Sequence, residues 1–215
     1  MPRRPDRSSR PSGRAEVTEA LLDAAEVELV RHGADASVRR IAGAAGVNHG
    51  LVHRYFGTKA NLVAAVLARL AQQAAAQLDG AAQRSRPAER GRSALALDPL
   101  DPLVADGPVA RHLRIVARLL LDGEDVGTLQ PEHPAIAVLV ERAVHDGGAV
   151  PERARVGVAQ AVALLFGWQL FEPFLLDATG ASPEDARADL PRALATLAHA
   201  GPRDGQVAER RPSAT

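Results

Sequence analysis

Between Ala15 and Phe56 the chain is cut into three small helices, the last two joined by a tight turn. The first runs from about Ala15 to His32, with Val17, Leu21, Ala25 and Leu29 recurring at i+4 on one face. Glu16 and Glu19 stand near its start and Arg31, His32 and Gly33 at its end, as the helix dipole and C-cap rules favour. Ser37 is a plausible N-cap for the second, in which Val38, Ile41, Ala42 and Ala45 follow at helical spacing. Gly46 stops it, Asn48 can cap a third helix from His49 to about Phe56, and Gly57 breaks that one. This is the pattern of a helix-turn-helix. Ala42 and Gly46 are small where two helices must cross, and Val47, Val52 and Phe56 are apolar where the third must pack back. His49, Gly50, His53 and Arg54 are then left pointing outward. Such a face is polar and narrow and fits a groove, and Gly50 lets the backbone come close to DNA.

The rest of the chain is also helical in pattern. About a fifth of the residues are alanine, the best helix former, and no alternating strand pattern flanked by hairpin turns is present. The fold class is therefore all-α. Thr58 caps a long helix from Lys59 to about Leu78, with Leu62, Val66 and Leu70 on one ridge. Residues 80–108 read as an irregular connector with one short helix near Ser93–Leu97. Further helices are expected from about Val109 to Leu121, Pro134 to His145 and Pro151 to Asp177, the last kinked by Pro173. Ser182–Asp185 starts a final helix that ends before Gly201 and that Pro191 can split. Four units result: a flexible basic arm at 1–14, a helix-turn-helix domain at 15–60, a larger helical domain at 61–200 and a disordered polar tail at 201–215.

The 215 residues include 26 Lys+Arg and 26 Asp+Glu, for a formal net charge of zero, which at face value argues against a nucleic-acid partner. Its distribution reverses that inference. Residues 1–14 carry five Arg and one Asp, and residues 37–59 carry three Arg, the single Lys and no acid; residues 15–36 between them carry one Arg and six acids. Positive charge is thus concentrated on the arm and the helix-turn-helix. The absence of Cys excludes a disulfide framework, a thiolate nucleophile and Cys-ligated zinc. The longest uncharged apolar-rich run, Val156–Phe171, contains Gln160 and Gln169 and ends at Glu172-Pro173, so no membrane span is expected. Nor is a signal peptide visible, and the chain reads as cytoplasmic.

In three linked segments the sequence resembles the TetR family of regulators: Ser37-Val38-Arg39-Arg40-Ile41-Ala42, Ala45-Gly46-Val47-Asn48-His49-Gly50, and Tyr55-Phe56-Gly57-Thr58-Lys59-Ala60-Asn61-Leu62. The match covers about residues 15–65. The resemblance implies a recognition helix at His49–Tyr55 in the major groove and a DNA contact from Arg39, early on the preceding helix. An Arg there could bind guanine in bidentate fashion. His49 and His53 can donate to guanine or phosphate, and Leu51 could touch a thymine methyl. Tyr55 and Lys59 look like phosphate anchors, the latter at a helix N-terminus, and Thr58 can add its hydroxyl. With Ser37, Arg40, Asn48, Gly50 and Arg54 these make up the expected DNA-binding set. His53 and Leu51 depart from the family's usual residues and so bear on the base code. The resemblance further implies a homodimer through the last two helices, a roughly palindromic double-stranded operator, and release by a small-molecule effector, most often from a repressor.

The middle helices are rich in Leu, Val and Ala, so the effector should be largely apolar. Phe166, Trp168, Phe171 and Phe174 hold four of the six aromatics within nine residues and suit either core and dimer packing or a ligand pocket. The candidate ligand-binding residues are His112, Val116, Phe166, Trp168, Phe171 and Glu172, the last being equally at home facing solvent. Gly157, Ala161 and Ala163 allow close helix packing. No nucleophile elbow, phosphate loop or paired-carboxylate motif is present, and neither catalysis nor a cofactor is expected. Two other readings remain: a metal-dependent helical enzyme using His49 and His53, which lack an accompanying Glu or Cys ligand, and a helical interaction protein with a vestigial helix-turn-helix.

Overall fold

A computed structural model describes residues 11–84, 107–145 and 150–199. Among the described residues there are nine α-helices and no strand: α1 (Arg14–His32), α2 (Val38–Ala44), α3 (Gly50–Phe56), α4 (Lys59–Arg84), α5 (Pro108–Leu121), α6 (Val126–Leu129), α7 (Pro134–His145), α8 (Pro151–Thr179) and α9 (Pro183–His199). The all-α expectation holds. Most of the N-terminal arm, the expected helix near Ser93–Leu97 and the tail lie outside the described residues. Arg14, assigned to the arm from sequence, is instead the first residue of α1, and the Ser12 amide donates to Glu16 Oε2 at 2.8 Å.

At seven residues each, α2 and α3 are too short to stand alone in water. Caps and burial hold them. Ser37 Oγ accepts from the Arg40 amide at 3.2 Å. At the other end of α2, Gly46 takes the left-handed conformation (φ +68°), the Val47 amide bonds the Ala42 carbonyl and the Gly46 amide bonds the Gly43 carbonyl. That is a Schellman stop. Ile41, Ala42 and Val52 are then sealed under α1 and α4 beside Leu21, Leu29, Leu62 and Val66.

This first core is not closed by residues 15–60. It takes Leu62–Leu70 from α4 and Ile115 and Leu119 from α5. A second core joins the far half of α4 (Ala74, Leu78) and the start of α5 (Val109, Leu113) to α7, α8 and α9. Helices α4 and α5 therefore run through both cores and tie the N-terminal head to the helices behind it.

One expectation about a proline is corrected: Pro191 does not split α9, which is continuous from Pro183 to His199. Helix α8, expected to about Asp177, runs through Pro173 to Thr179 before Gly180 caps it. By length and composition α8 is long and apolar enough to cross a membrane, and only 17% of its most apolar stretch is buried within the chain. It packs against α5, α7 and α9, and Val156, Phe171, Phe174 and Leu175 stay exposed along it.

Candidate nucleic-acid interface and effector cavity

The α2–turn–α3 unit presents one face of the head to solvent. Arg39, Asn48, His49, Gly50, His53 and Arg54 are exposed on it, with Ser37 and Thr58 at its edges. No acidic residue lies between Ser37 and Lys59. Several of the expected contact residues also have work within the fold. Asn48 Oδ1 accepts from the Gly50 amide at 2.8 Å and so opens α3. Thr58 Oγ1 accepts from the Asn61 amide at 3.1 Å and opens α4. Ser37 caps α2.

For other residues the geometry alters the expected role. His53 Nδ1 faces the Gly57 carbonyl at 3.1 Å. A carbonyl only accepts, so Nδ1 carries the proton. That tautomer leaves Nε2 of His53 as an acceptor, where donation had been expected. Arg40 is drawn back toward α1, with Nε 3.5 Å from Glu28 and Nη1 3.4 Å from His32 Nε2. Leu51 is half-buried and packs on the first core instead of projecting freely. Tyr55 packs there too, with the guanidinium carbons of Arg14 and Arg54 each 5.8 Å from its ring centroid. Arg14 is an addition that sequence reasoning missed, because only the fold brings α1's first residue to α3.

Lys59 is half-buried, and its Nζ donates to the carbonyl of Ala34. The Ala34 amide in turn donates to Asp122 Oδ2 at 2.8 Å. One residue of the α1–α2 turn is thereby clamped between the start of α4 and the end of α5. Gly33 makes the approach possible. Its φ is +54°, and a Cβ there would fall 2.2 Å from Asp122 Oδ2 and 2.5 Å from Arg118 Cγ. Nothing local in the sequence marks this junction.

The second core borders a cavity of about 340 Å³, partly open to solvent, between α4, α5, α6, α7, α8 and α9. His112, Val116 and Phe166 line it, as expected, together with Leu113, Leu139, Ala161 and Leu165. Trp168, Phe171 and Glu172 do not. Phe171 is exposed, Trp168 packs at the edge of the second core, and Glu172 pairs with Arg187 of α9 at 2.7 Å. The reason is rotation. On a helix, positions 166 and 168 lie on roughly opposite sides, so one aromatic cluster cannot all face one cavity. Gln130 and His133, which sequence reasoning missed, complete the wall. Among the described residues no three His, Cys, Asp or Glu side chains converge as metal ligands.

Residues 21–66 match the family model for bacterial regulatory proteins, tetR family. The chain is 42% identical over 176 residues to the HTH-type transcriptional repressor Rv3405c of Mycobacterium tuberculosis (strain H37Rv), covering 81% of this chain and 84% of that protein. The HTH-type transcriptional regulator Mb3439c of Mycobacterium bovis matches to the same extent. Among solved structures, that of NalD, the secondary repressor of the MexAB-OprM multidrug efflux pump in Pseudomonas aeruginosa, superposes with a TM-score of 0.51. It covers 84% of this chain and 94% of that chain at 21% identity, a likeness of fold.

Proposed function

The chain belongs to the tetR family of bacterial regulatory proteins, and from that premise we propose that it is a homodimeric repressor, released from a palindromic operator when a small apolar molecule fills the cavity. It is a helix-turn-helix transcriptional regulator, and its relatives are not enzymes, which removes the metal-enzyme reading. The observation that carries the proposal is the position of α5. One side of this helix forms the cavity wall through His112, Leu113 and Val116. Its other contacts reach the head, through Ile115 and Leu119 in the first core and through Asp122 at the Ala34 amide.

Each reading head offers Arg39 and the exposed face of α3 to base edges, and Lys59 with the start of α4 to phosphate. Two heads on a two-fold axis would reach successive major grooves roughly 34–36 Å apart. A ligand that moves α5 shifts Asp122, the Ala34 junction and with it Lys59. A hundredfold preference of the ligand for the DNA-incompetent state amounts to only about 2.7 kcal/mol. The exposed apolar side of α8 supports dimerisation in the cytoplasm, where it would be covered by a second copy.

Selection of genomic fragments on the purified protein tests this reading. Enrichment of a palindromic site at moderate salt is the expected result; no fragment enriched over bulk DNA would sink it. On the selected site, Arg39→Ala should cost about 1–3 kcal/mol and relax preference at one base position. Lys59→Ala should weaken binding to all sequences and lower the salt slope by about one. Equal effects of both substitutions on cognate and random DNA would contradict these separate roles.

A further inference from the structure

We propose that the cavity accepts a small, uncharged and mainly apolar molecule carrying one hydroxyl group, which His112 and His133 read as both donor and acceptor. This rests on the cavity being the effector site, and it specifies the chemistry of that site.

The described wall disfavours charge. Among the described residues no Lys, Arg, Asp or Glu side chain lines the cavity, and most of its lining is aliphatic. An ionised group seated against the aliphatic wall would lose part of its hydration with no opposite charge among the described lining residues to replace it. The polar side chains are gathered at one corner: His112 of α5, and Gln130 and His133 between α6 and α7.

The direction of each hydrogen bond at that corner follows from one fixed acceptor. Gln130 is buried, and its Nε2 donates to the Glu132 carbonyl at 3.1 Å. A carbonyl can only accept, so the amide orientation is set. Gln130 Oε1 then faces His112 Nε2 at 2.7 Å, and that nitrogen must carry the proton. His112 Nδ1 is left as an acceptor. The amide nitrogen of Gln130 also faces His133 Nδ1 at 3.5 Å, which makes Nδ1 an acceptor and puts the His133 proton on Nε2. Two rings on one cavity wall, His112 partly buried and His133 exposed to solvent, therefore keep one acceptor and one donor for a guest molecule. Burial lowers the His112 pKa from its ordinary value; the Gln130 hydrogen bond opposes that shift and the nearby His133 adds to it. The neutral ring this favours is the one the geometry requires. A hydroxyl matches the pair because it donates and accepts at a single atom. A carboxylate only accepts and an ammonium only donates.

Calorimetry on the full chain without DNA tests the assignment with four probes of similar size: para-butylphenol, para-butylcyclohexanol, butylbenzene and para-butylbenzoate. The two hydroxyl compounds should bind roughly tenfold tighter than the hydrocarbon and the carboxylate, in line with the cost of leaving the His112 acceptor unpaired against an apolar guest. The first two probes separate a phenol from an alcohol as the preferred hydroxyl. His112→Phe should bring the hydroxyl compounds to the level of butylbenzene, and Gln130→Leu should do the same. Proton–nitrogen correlation spectra of the unmodified protein should show His112 protonated on Nε2, with the Nδ1 resonance shifting as para-butylphenol is added. Preference for the benzoate, parity with the hydrocarbon, no binding by any probe, or a proton on His112 Nδ1 would each overturn the inference. Operator release is measured separately. The expected ranking without release would support this assignment and remove the effector-site reading.

Discussion

On the proposed homodimer, replacing Phe171 and Phe174 together with glutamate is expected to give monomers and weaken operator binding by roughly a hundredfold to ten-thousandfold. The two side chains are 52% and 68% exposed, and Val156 on the same helix is 50% exposed. Positions 156, 163, 167 and 174 fall on one side of α8 at helical spacing. Ala163 is exposed there, and a Cβ added at Gly167 would meet nothing within 4 Å. Aromatic anchors around a strip of small residues suit close approach of a second helix, and Glu172–Arg187 fixes α9 beside that strip. A charge placed at each aromatic would be buried without a partner in the dimer and hydrated in the monomer. Because both residues are exposed in the protomer, the fold itself should change by less than about 0.5 kcal/mol. Light scattering reads the oligomer, and titration on a whole palindrome and on its half-site reads the lost second contact. A variant that stays dimeric with full operator affinity would move the interface away from α8.

What could be read from the sequence was local. Ser37, Gly46 and Thr58 act within a turn of their own position, so the bounds of α2, the start of α4 and the face of α3 follow from residue order. The long-range contacts did not. Lys59 and Asp122 reach Ala34 across 25 and 88 positions, and no periodicity encodes a backbone carbonyl as their partner. The four-residue α6 has too few positions to show a period; Asp125 caps it and burial of Val126 holds it. The cavity wall was half legible. The richness of α5 and α8 in apolar residues was visible, but the rotation that turns Phe166 inward and Phe171 outward is set by packing. Pro191 misled for a related reason. It removes one helix hydrogen bond, and Leu190 and Leu194 on either side of it are buried, which keeps α9 in place.

A large loss of stability, about 3 kcal/mol, should come from Glu26→Ala. Glu26 is the point where α1, α4 and α5 meet. Its carboxylate lies 2.9 Å from Arg69 Nη2 and 2.5 Å from Arg111 Nε, and its side chain is 13% exposed. Burial alone would lower the pKa of the Arg69 guanidinium, yet the hydrogen bonds and charges of Asp23 and Glu26 raise it above its ordinary value. The charged form is thus favoured by its partners. Without Glu26, Arg69 keeps the exposed Asp23 and Glu19, while Arg111 loses the carboxylate that joins the start of α5 to the head. Urea denaturation should show a lower midpoint at unchanged slope. The combined variant Glu26→Leu, Arg69→Met, Arg111→Met should recover most of the loss, because removing every charge leaves none to be buried unpaired. Arg111 precedes the cavity residue His112, so Glu26→Ala should also blunt the effect of a bound ligand on operator affinity. A loss below about 0.5 kcal/mol would mean that α5 is held to the head by the Ile115 and Leu119 packing and the Asp122 junction alone.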